Sequence, residues 1–145
     1  MTFKKILVAT DFSDCSLGAV KEAGELARKL GGEIILCTSL EAPEETTLLG
    51  GSIKPLIDFP KETADAEKKL RQLIEDAGIS DVAKSVRVTP HAPGEEVPEL
   101  AEKLKCDLIV VGTHGRTGWR HFVIGSVTER IIRKTEIPVL AIPCK

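Results

Sequence analysis

The sequence predicts one doubly wound α/β domain with a mainly parallel five-stranded sheet. Five short apolar stretches alternate with four segments whose apolar residues recur at helical spacing. The first two stretches are apolar on both faces, which is typical of strands buried inside a parallel sheet. The chain has 145 residues and no internal repeat or linker. We therefore expect a single domain spanning residues 1–145.

The first strand is predicted at Lys4–Thr10, the β-branched and apolar run KKILVAT. Ser13 or Asp14 can cap the helix that follows. Four residues give this helix one apolar face: Val20, Ala23, Ala27 and Leu30. The pair Gly31-Gly32 ends the helix. The second strand is predicted at Glu33–Ser39.

A long connection, Glu41–Pro60, follows the second strand. It is longer than most loops between a strand and a helix, and loops of that length tend to be functional or mobile. Its apolar residues are too many for a free linker: Leu48, Leu49, Ile53, Leu56 and Ile57. We expect the connection to lie against the body of the protein, over a ligand or at a subunit contact.

The second half of the chain repeats the alternation. A helix is predicted from Lys61 to Gly78, and a more exposed third strand at Lys84–Thr89. A short third helix is predicted at Val97–Leu104, with Pro98 near its first turn, where proline is tolerated. The fourth strand, Asp107–Val111, leads into a glycine-containing loop, and the fourth helix begins at Ser126.

The fifth strand, Pro138–Ile142, is bounded by Pro138 and Pro143. Proline does not donate to a strand ladder, so this strand is predicted at an edge of the sheet. An exposed apolar edge needs cover, and the simplest cover is a second copy of the same strand. The sequence therefore predicts a homodimer through the fifth strand.

Composition argues against several classes of protein. The net charge is −2 and aromatic residues make up 3% of the chain, so we expect neither nucleic-acid nor membrane-surface binding. No apolar run reaches the length of a membrane span, and a cytoplasmic location is expected. Four cysteines, without zinc-ligand spacing, are expected to be small buried or half-buried thiols. They are Cys15, Cys37, Cys106 and Cys144.

A spaced glycine pattern follows the fourth strand. It reads Gly112, two residues, Gly115, nine residues, Gly125-Ser126. Glycines let the backbone approach a bulky anion, and a helix start supplies free N–H groups and a positive dipole end. The pattern therefore predicts a phosphate-binding loop, although ordinary turn chemistry also explains a glycine pair.

A second polar cluster, Thr10-Asp11, follows the first strand. In open α/β sheets, ligands bind beyond the carboxyl ends of strands where the strand order reverses. If the first and fourth strands are neighbours, both clusters face one crevice. Asp11 could then accept hydrogen bonds from ribose hydroxyls or hold a metal, or it could be a solvated turn carboxylate.

Other loop residues have competing interpretations. Residues 126–129, Ser-Val-Thr-Glu, fit a capping box. His114 could contact a phosphate or brace the loop. Three residues add positive charge that could approach terminal phosphates or simply be solvated: Arg116, Arg120 and His121. The sequence has neither GxxxxGK[ST] nor a GxGxxG after the first strand, which argues against a P-loop or dinucleotide-binding protein.

The stretch GTHGRTGWRHFVIGSVTERIIRKTEIPVLAIP and the start KKILVATDFSD closely resemble the universal stress protein family, in its nucleotide-binding branch. The glycine spacing matches the ATP-binding signature of that branch without a gap. The resemblance implies a five-stranded parallel sheet in the order 3-2-1-4-5, flanked by four helices. It also implies dimerisation through the fifth strand.

The resemblance further implies an ATP site, with AMP or another adenylate as alternatives and with Mg²⁺ or Mn²⁺ beside the phosphates. Ala9, Thr10 and Asp11 would lie around adenine and ribose, with Asp11 on the ribose. Ser39 matches a position whose backbone meets adenine, although the family often has a branched aliphatic residue there. The residues implied to line ribose and phosphates are Val111, Gly112, His114, Gly115, Gly125, Ser126 and Val127.

Three functions remain as hypotheses. In the first, ATP occupancy changes contacts with an unknown protein partner, and little or no ATP is hydrolysed, because no general base is evident. The second is a slow ATPase in which Asp11 holds a metal and His114 or Ser126 assists. The third is an interaction protein that does not depend on nucleotide. The family has such a branch, but that branch lacks the glycine spacing.

Overall fold

The computed structural model of the protein contains an open parallel sheet covered by helices. The strands in chain order are β1 (Lys5–Ala9), β2 (Glu33–Ser39), β3 (Thr46–Leu48), β4 (Gly51–Ile53), β5 (Ala83–Thr89), β6 (Leu108–Gly112) and β7 (Val139–Ile142). The helices are α1 (Asp14–Leu30), α2 (Phe59–Asp76), α3 (Pro93–Lys103) and α4 (Ser126–Lys134). The structure describes residues 1–40, 46–48, 51–53, 59–114 and 124–144, with backbone only at 46–48 and 51–53.

The strand order in the main sheet is β5-β2-β1-β6-β7, and every pairing is parallel. Counted over the five strands of this sheet, the order is 3-2-1-4-5, which confirms the fold class. The central strand β1 lies between β2 and β6, so the first and fourth strands of this sheet are neighbours. The prediction that the last strand is an edge strand is also confirmed, because β7 pairs with β6 at one end of the sheet.

The core has two layers, one on each face of the sheet. Ile6, Leu7 and Val8 of β1 are fully buried, and alternate residues point to opposite layers. Ile6 and Val8 join the cluster that includes Val20 of α1 and Leu70 of α2. Leu7 joins the cluster that includes apolar side chains of α3 and α4, which cover the other face. This sandwich explains why the first strand is apolar throughout.

Both ends of α1 follow the sequence prediction. Ser13 is the N-cap, and its side chain accepts a hydrogen bond from Ser16 N. Gly31 ends the helix in the left-handed conformation with φ of 62°, which glycine adopts without the clash that a Cβ would introduce. Gly78, after α2, has φ of 66° for the same purpose.

The predicted start of the third helix is wrong. The helix begins at Pro93, with this proline in its first turn, so Pro98 lies in the interior and not near the start. Pro93 has no N–H to lose at that position, which makes it a good first residue. Pro98 is buried inside the helix and removes one internal hydrogen bond.

The connection after β2 contains structure that the sequence analysis did not predict. The strands β3 and β4 form an antiparallel hairpin, pairing Thr46 with Ile53 and Leu48 with Gly51. Strands of three residues are too short to show a clear alternation of apolar and polar residues. The rest of Glu41–Pro60 before α2 lies outside the described residues, so its expected contact with the body, a ligand or a subunit stays a prediction.

The cysteines also differ from expectation in one case. Cys15, Cys37 and Cys106 are buried, as predicted, whereas Cys144 is exposed. Cys144 follows the edge strand by two residues, and no further element covers it among the residues that the structure describes.

Candidate functional site

The carboxyl ends of three neighbouring strands meet at one edge of the sheet. Ala9 at the end of β1 pairs with Cys37 of β2, and Val8 pairs with Val110 of β6. The residues that follow these positions therefore lie along the same edge. Thr10-Asp11 and the segment 112–114 face this edge from adjacent strands, at the point where the chain order of the sheet reverses.

Thr10 holds the turn between β1 and α1 through its side chain. Its hydroxyl oxygen accepts a hydrogen bond from Phe12 N at 3.0 Å and lies 2.8 Å from the hydroxyl of Ser16. Ser16 gives its only hydroxyl hydrogen to Ser13 O, so Thr10 must be the donor between the two hydroxyls. The Thr10 side chain is thus engaged within the turn, and its main-chain N–H donates to Cys37 O of β2 at 2.9 Å.

Asp11 and Phe12 give this turn an unusual backbone. Asp11 Oδ1 accepts a hydrogen bond from Ser13 N at 3.0 Å, which closes a short turn over the start of α1. Phe12 has φ of 65°, a left-handed conformation that is uncommon for a bulky residue. Its half-buried ring packs on the core, and Lys69 Nζ lies 5.8 Å from the ring centroid. Strained backbone of this kind concentrates at functional sites.

Ser39 lies at the end of β2, opposite Thr89 of β5. The two hydroxyl oxygens are 2.7 Å apart, and Leu40 N donates to Thr89 O. The pair contains two hydroxyl hydrogens, and one of them is used between its members. Ser39 was predicted as a site residue and Thr89 was not, because the pairing of Ser39 with Thr89 becomes evident only from the register of β2 and β5.

The segment from Gly112 to His114 is fixed by main-chain hydrogen bonds on both sides. Thr113 N donates to Ile142 O of β7 at 2.9 Å, and Gly125 N donates to Thr113 O at 2.7 Å. A Cβ at Gly125 would lie 3.1 Å from Thr113 O, which is a tight contact. The chain therefore returns from the loop to lie directly against the end of β6.

Thr128 attaches α4 to the same strand end. Its buried hydroxyl donates to Gly112 O at 2.8 Å. The sequence analysis did not select Thr128, because threonine in a first helical turn usually indicates only a local cap. Its hydrogen bond spans sixteen residues and sets where the helix starts relative to the sheet edge.

Among the described residues, no side chain caps the start of α4, and the predicted capping box is wrong. The N-cap is Gly125, which has no side chain to accept a hydrogen bond, and Ser126 is the first helical residue. A capping box needs the serine one position earlier. The first helical hydrogen bond joins Glu129 N to Gly125 O, so the N–H groups of residues 126–128 precede it. Ser126 and Val127 are exposed, which leaves this helix end accessible.

His114 has one ring nitrogen engaged and one without a partner. Nδ1 lies 3.0 Å from Thr113 Oγ1. Nε2 is buried and has no hydrogen-bond partner among the described residues. If the Thr113 hydroxyl donates to Nδ1, then Nε2 bears the hydrogen and is a donor.

Several predicted site residues are not described by the structure. Gly115 lies in the segment 115–123, outside the described residues, together with Arg116, Arg120 and His121. The described members are Ala9, Thr10, Asp11, Ser39, Val111, Gly112, His114, Gly125, Ser126 and Val127. All of them lie at the carboxyl edge of the sheet or at the start of α4.

A separate cavity of about 440 Å³ lies between the first turns of α3 and α4. It reaches Ser126 and Val127 but does not include Thr10 or Asp11, so it is distinct from the crevice at the sheet edge. Arg130 contributes to its lining and forms an ion pair with Glu95.

Within the described ranges, no cluster of three or more His, Cys, Asp or Glu side chains could hold a metal ion. None of the described helices is long and apolar enough to cross a membrane.

Comparison with known families matches almost the whole chain. The model of the universal stress protein family matches residues 2–143 of the chain. This chain belongs to the universal stress protein family. The resemblance proposed from the glycine spacing and the first strand is confirmed.

Among universal stress proteins, the chain is 34% identical to MJ0531 of Methanocaldococcus jannaschii over 142 residues, which cover 97% of this chain and 82% of the relative. The solved structure of MJ0577 from the same organism has a TM-score of 0.80 and 30% identity, with 100% of this chain and 99% of that chain covered.

Two further universal stress protein structures were solved with adenine nucleotides. A complex with cAMP has a TM-score of 0.69 and 24% identity, and a complex with dAMP from Archaeoglobus fulgidus has 0.63 and 22%. Each covers the whole of both chains. At these identities the likeness shows a shared fold alone.

Proposed function

We propose that this protein binds an adenine nucleotide, ATP in the first instance, across the carboxyl ends of β1 and β6. One observation supports this most directly. The uncapped start of α4 is held against the end of β6 by the hydrogen bonds from Thr128 to Gly112 O and from Gly125 N to Thr113 O. A helix end without a side-chain cap, fixed beside a glycine, is suited to an anion.

The phosphates would lie against this helix end. Gly125 leaves the backbone open, and the N–H groups of Ser126 and Val127 can donate to phosphate oxygens. Gly112 is the last residue of β6, and the absence of a side chain there lets α1 pack closely against this strand end, with Cys15 Sγ 3.4 Å from the position of a Cβ. Gly115 completes the set by its place in the glycine pattern. Residues 112–115 and 125–127 would therefore form the phosphate end of the site.

His114 provides a further donor in this proposal. Its buried Nε2 lacks a partner among the described residues, and a buried donor that stays unpaired costs about 1–3 kcal/mol. A phosphate oxygen would remove that cost. In this role His114 binds the nucleotide and does not act as a base.

The ribose and adenine would lie over β1 and β2. The Asp11 carboxylate can accept ribose hydroxyls in addition to Ser13 N, because its two oxygens offer about four acceptor positions. Ala9, Val111 and the backbone of Thr10 would line the crevice. Ser39 would meet adenine through its backbone, because its hydroxyl already contacts Thr89. The Ser39–Thr89 pair would then hold this part of the wall in place.

The adenine base is the part of the ligand that comparison supports. The cAMP and dAMP complexes show that proteins with this fold bind adenine nucleotides. For this chain, the glycine spacing matches the ATP-binding signature of the family, so we name ATP first, with AMP or another adenylate as the alternative ligand. Mg²⁺ or Mn²⁺ would arrive with the phosphates, and Asp11 is a carboxylate on this edge that could contact it.

We further propose that nucleotide occupancy acts as a signal and that the chain works as a cytoplasmic homodimer joined through β7. The sequence offers no evident general base, which favours binding over rapid hydrolysis. Occupancy would instead alter how the dimer contacts a protein partner. The family name supports a role in stress responses.

Calorimetric titration tests the proposal directly. Purified protein would be titrated with ATP, AMP and GTP, with and without Mg²⁺. We expect one adenine nucleotide per chain and weaker binding of GTP. The absence of binding heat and of any thermal stabilisation by all adenine nucleotides would contradict the proposal. Mass spectrometry of small molecules released from undialysed protein would identify the native ligand.

A second measurement separates binding from slow turnover. ADP would be counted per chain after prolonged incubation with ATP and Mg²⁺. We expect less than one ADP per chain over the time in which binding reaches equilibrium. Repeated turnover that is lost in the Asp11→Ala variant would favour the ATPase.

A further inference from the structure

Two cysteines far apart in the sequence contact adjacent residues, Gly112 and Thr113, at the proposed phosphate end of the site. Cys15 is in the first turn of α1, and Cys144 follows β7 by two residues. Cys15 lies against Gly112, and Gly112 pairs with Ile142, two residues before Cys144, whose N–H donates to Thr113 Oγ1; both cysteines therefore contact the end of β6. Cys15 is buried and Cys144 is exposed, so a reagent in solution reaches Cys144 first.

Each thiol is positioned by backbone on a different element. Cys15 Sγ lies 3.4 Å from the position that a Cβ would take at Gly112. On the other side, Cys144 N donates to Thr113 Oγ1 at 3.4 Å, and Ile142 O accepts from Thr113 N. The pair is thus held by α1, by the end of β6 and by the residues after β7.

The four cysteines differ in their access to chemistry. Burial raises the pKa of Cys37 to about 12 and the pKa of Cys106 to about 11, which keeps both as inert thiols. Burial, followed by the Cys144 thiol, raises the pKa of Cys15, while the His114 backbone lowers it. Cys15 is therefore a poor first nucleophile but is placed to attack a sulfur attached to Cys144.

We propose that Cys15 and Cys144 form a reversible oxidation site that takes a low-molecular-weight disulfide, such as glutathione disulfide, as its oxidant. The Cys144 thiolate attacks one sulfur of the oxidant, which breaks the oxidant's S–S bond and releases one thiol. Cys15 loses its proton and attacks the Cys144 sulfur, which forms the internal disulfide and releases the second thiol. Two protein thiols are oxidised and one external disulfide is reduced to two thiols.

Oxidation would join α1 to the residues after the edge strand. The disulfide would close a ring spanning nearly the whole chain, which restricts the unfolded state strongly. We expect the melting temperature to rise by on the order of 5–10 °C, and to return to its original value on reduction. This inference does not depend on whether the crevice binds a nucleotide.

Peptide mapping tests the proposal. Full-length protein would be incubated with glutathione disulfide, alkylated, and digested with trypsin without reduction. Cys15 then lies in peptide 6–21 and Cys144 in peptide 135–145. We expect these two peptides to be joined, with the intact chain losing two hydrogens and remaining unlinked to other chains. A glutathione group that stays on Cys144, a disulfide between two chains, or unreacted thiols would each overturn the proposal.

Matched variants complete the test. Cys144→Ser removes the exposed thiol and should abolish both the joined peptides and the rise in melting temperature. Cys15→Ser should instead leave glutathione attached to Cys144. Cys106→Ala is the control, because it removes a cysteine outside the pair, and it should oxidise as the wild type does. Loss of the joined peptides in Cys106→Ala, or their persistence in Cys144→Ser, would contradict the assignment.

Discussion

The hydroxyl of Thr128 donates a hydrogen bond of 2.8 Å to the main-chain oxygen of Gly112. Thr128 is in the first turn of α4, and Gly112 is the last residue of β6. Both ends of the intervening loop are therefore fixed by a contact that does not involve the loop itself. The proposed phosphate end of the site is set by the rigid parts of the fold.

Replacing Thr128 by valine should weaken both the fold and the site. Valine keeps the shape of the side chain but leaves Gly112 O without its buried donor, so the free energy of unfolding should fall by about 1–2 kcal/mol. ATP should then raise the melting temperature less than in the wild type. The matched control is Thr135→Val, at the other end of α4, which removes the hydrogen bond from Ile137 N. Equal ATP responses in the two variants would contradict the role of Thr128.

Replacing Gly115 by valine should abolish the response to ATP. A side chain at this position would lie where the glycine pattern predicts close approach of backbone to phosphate. We expect ATP no longer to raise the melting temperature, while the dimer persists. Gly18→Val is the control, since no described atom lies within 4 Å of a Cβ at Gly18. Equal stabilisation of Gly115→Val and the wild type by ATP would refute the site assignment.

Asp11→Asn separates the charge of this residue from its structural role. The asparagine oxygen can still accept from Ser13 N, so the turn and the melting temperature should change little. Hydrogen bonds to a charged group are stronger than neutral ones, so ATP affinity should fall by roughly tenfold in titration calorimetry. Asp14→Asn, in the first turn of α1, is the control and should bind like the wild type. Unchanged ATP affinity in Asp11→Asn would contradict the assignment of Asp11 to the ribose.

Glu95 should give the protein a dependence on acid pH. Hydrogen bonds from Lys134, then from Arg130, lower the pKa of the Glu95 carboxyl, which joins α3 to α4. Because the folded pKa is below the unfolded one, this stabilisation is complete above the unfolded pKa and is lost as pH falls through the folded pKa. Melting temperatures of Glu95→Gln and the wild type should differ at neutral pH and converge in acid. Glu99→Gln, on the same helix, should not show this convergence.

The edge strand should mediate the dimer. Leu140 of β7 is 37% exposed, and β7 pairs with one strand only in the described sheet. Glutamate at this position would place a charge in an apolar strand contact, so Leu140→Glu should be monomeric by light scattering at concentrations where the wild type is dimeric. Leu30→Glu, at the end of α1, is the control for an exposed leucine elsewhere. A wild-type chain that stays monomeric at every concentration would exclude this dimer.

Much of the fold follows from local patterns in the sequence. Continuous apolar runs such as residues 6–8 predict the buried parallel strands, and the flanking prolines predict β7 as an edge. The hairpin of β3 and β4 was missed because three-residue strands show almost no periodicity. The start of α3 was missed because the helical spacing of apolar residues begins only at Val97, although Pro93 is a favoured first residue of a helix.

The candidate site was predictable where its residues are consecutive and hidden where they meet through the fold. Asp11 and the glycine pattern could be selected from spacing and position after a strand. Thr128, the partner of Gly112, could not be selected, because their contact depends on where α4 returns to the sheet. The capping box assigned to Ser126 failed by one residue, since sequence alone does not say whether Gly125 or Ser126 begins the helix.

Thr113 links the start of α4 to the edge strand β7. Its carbonyl accepts from Gly125 N beside α4, while its amide donates to Ile142 of the edge strand. In a dimer joined through β7, a shift of Thr113 on nucleotide binding would therefore reach the neighbouring subunit through one strand. Thermodynamic reciprocity then requires that dimer assembly alter nucleotide affinity by the same factor by which nucleotide alters assembly. The dimeric fraction of this protein would therefore depend on the concentration of its nucleotide.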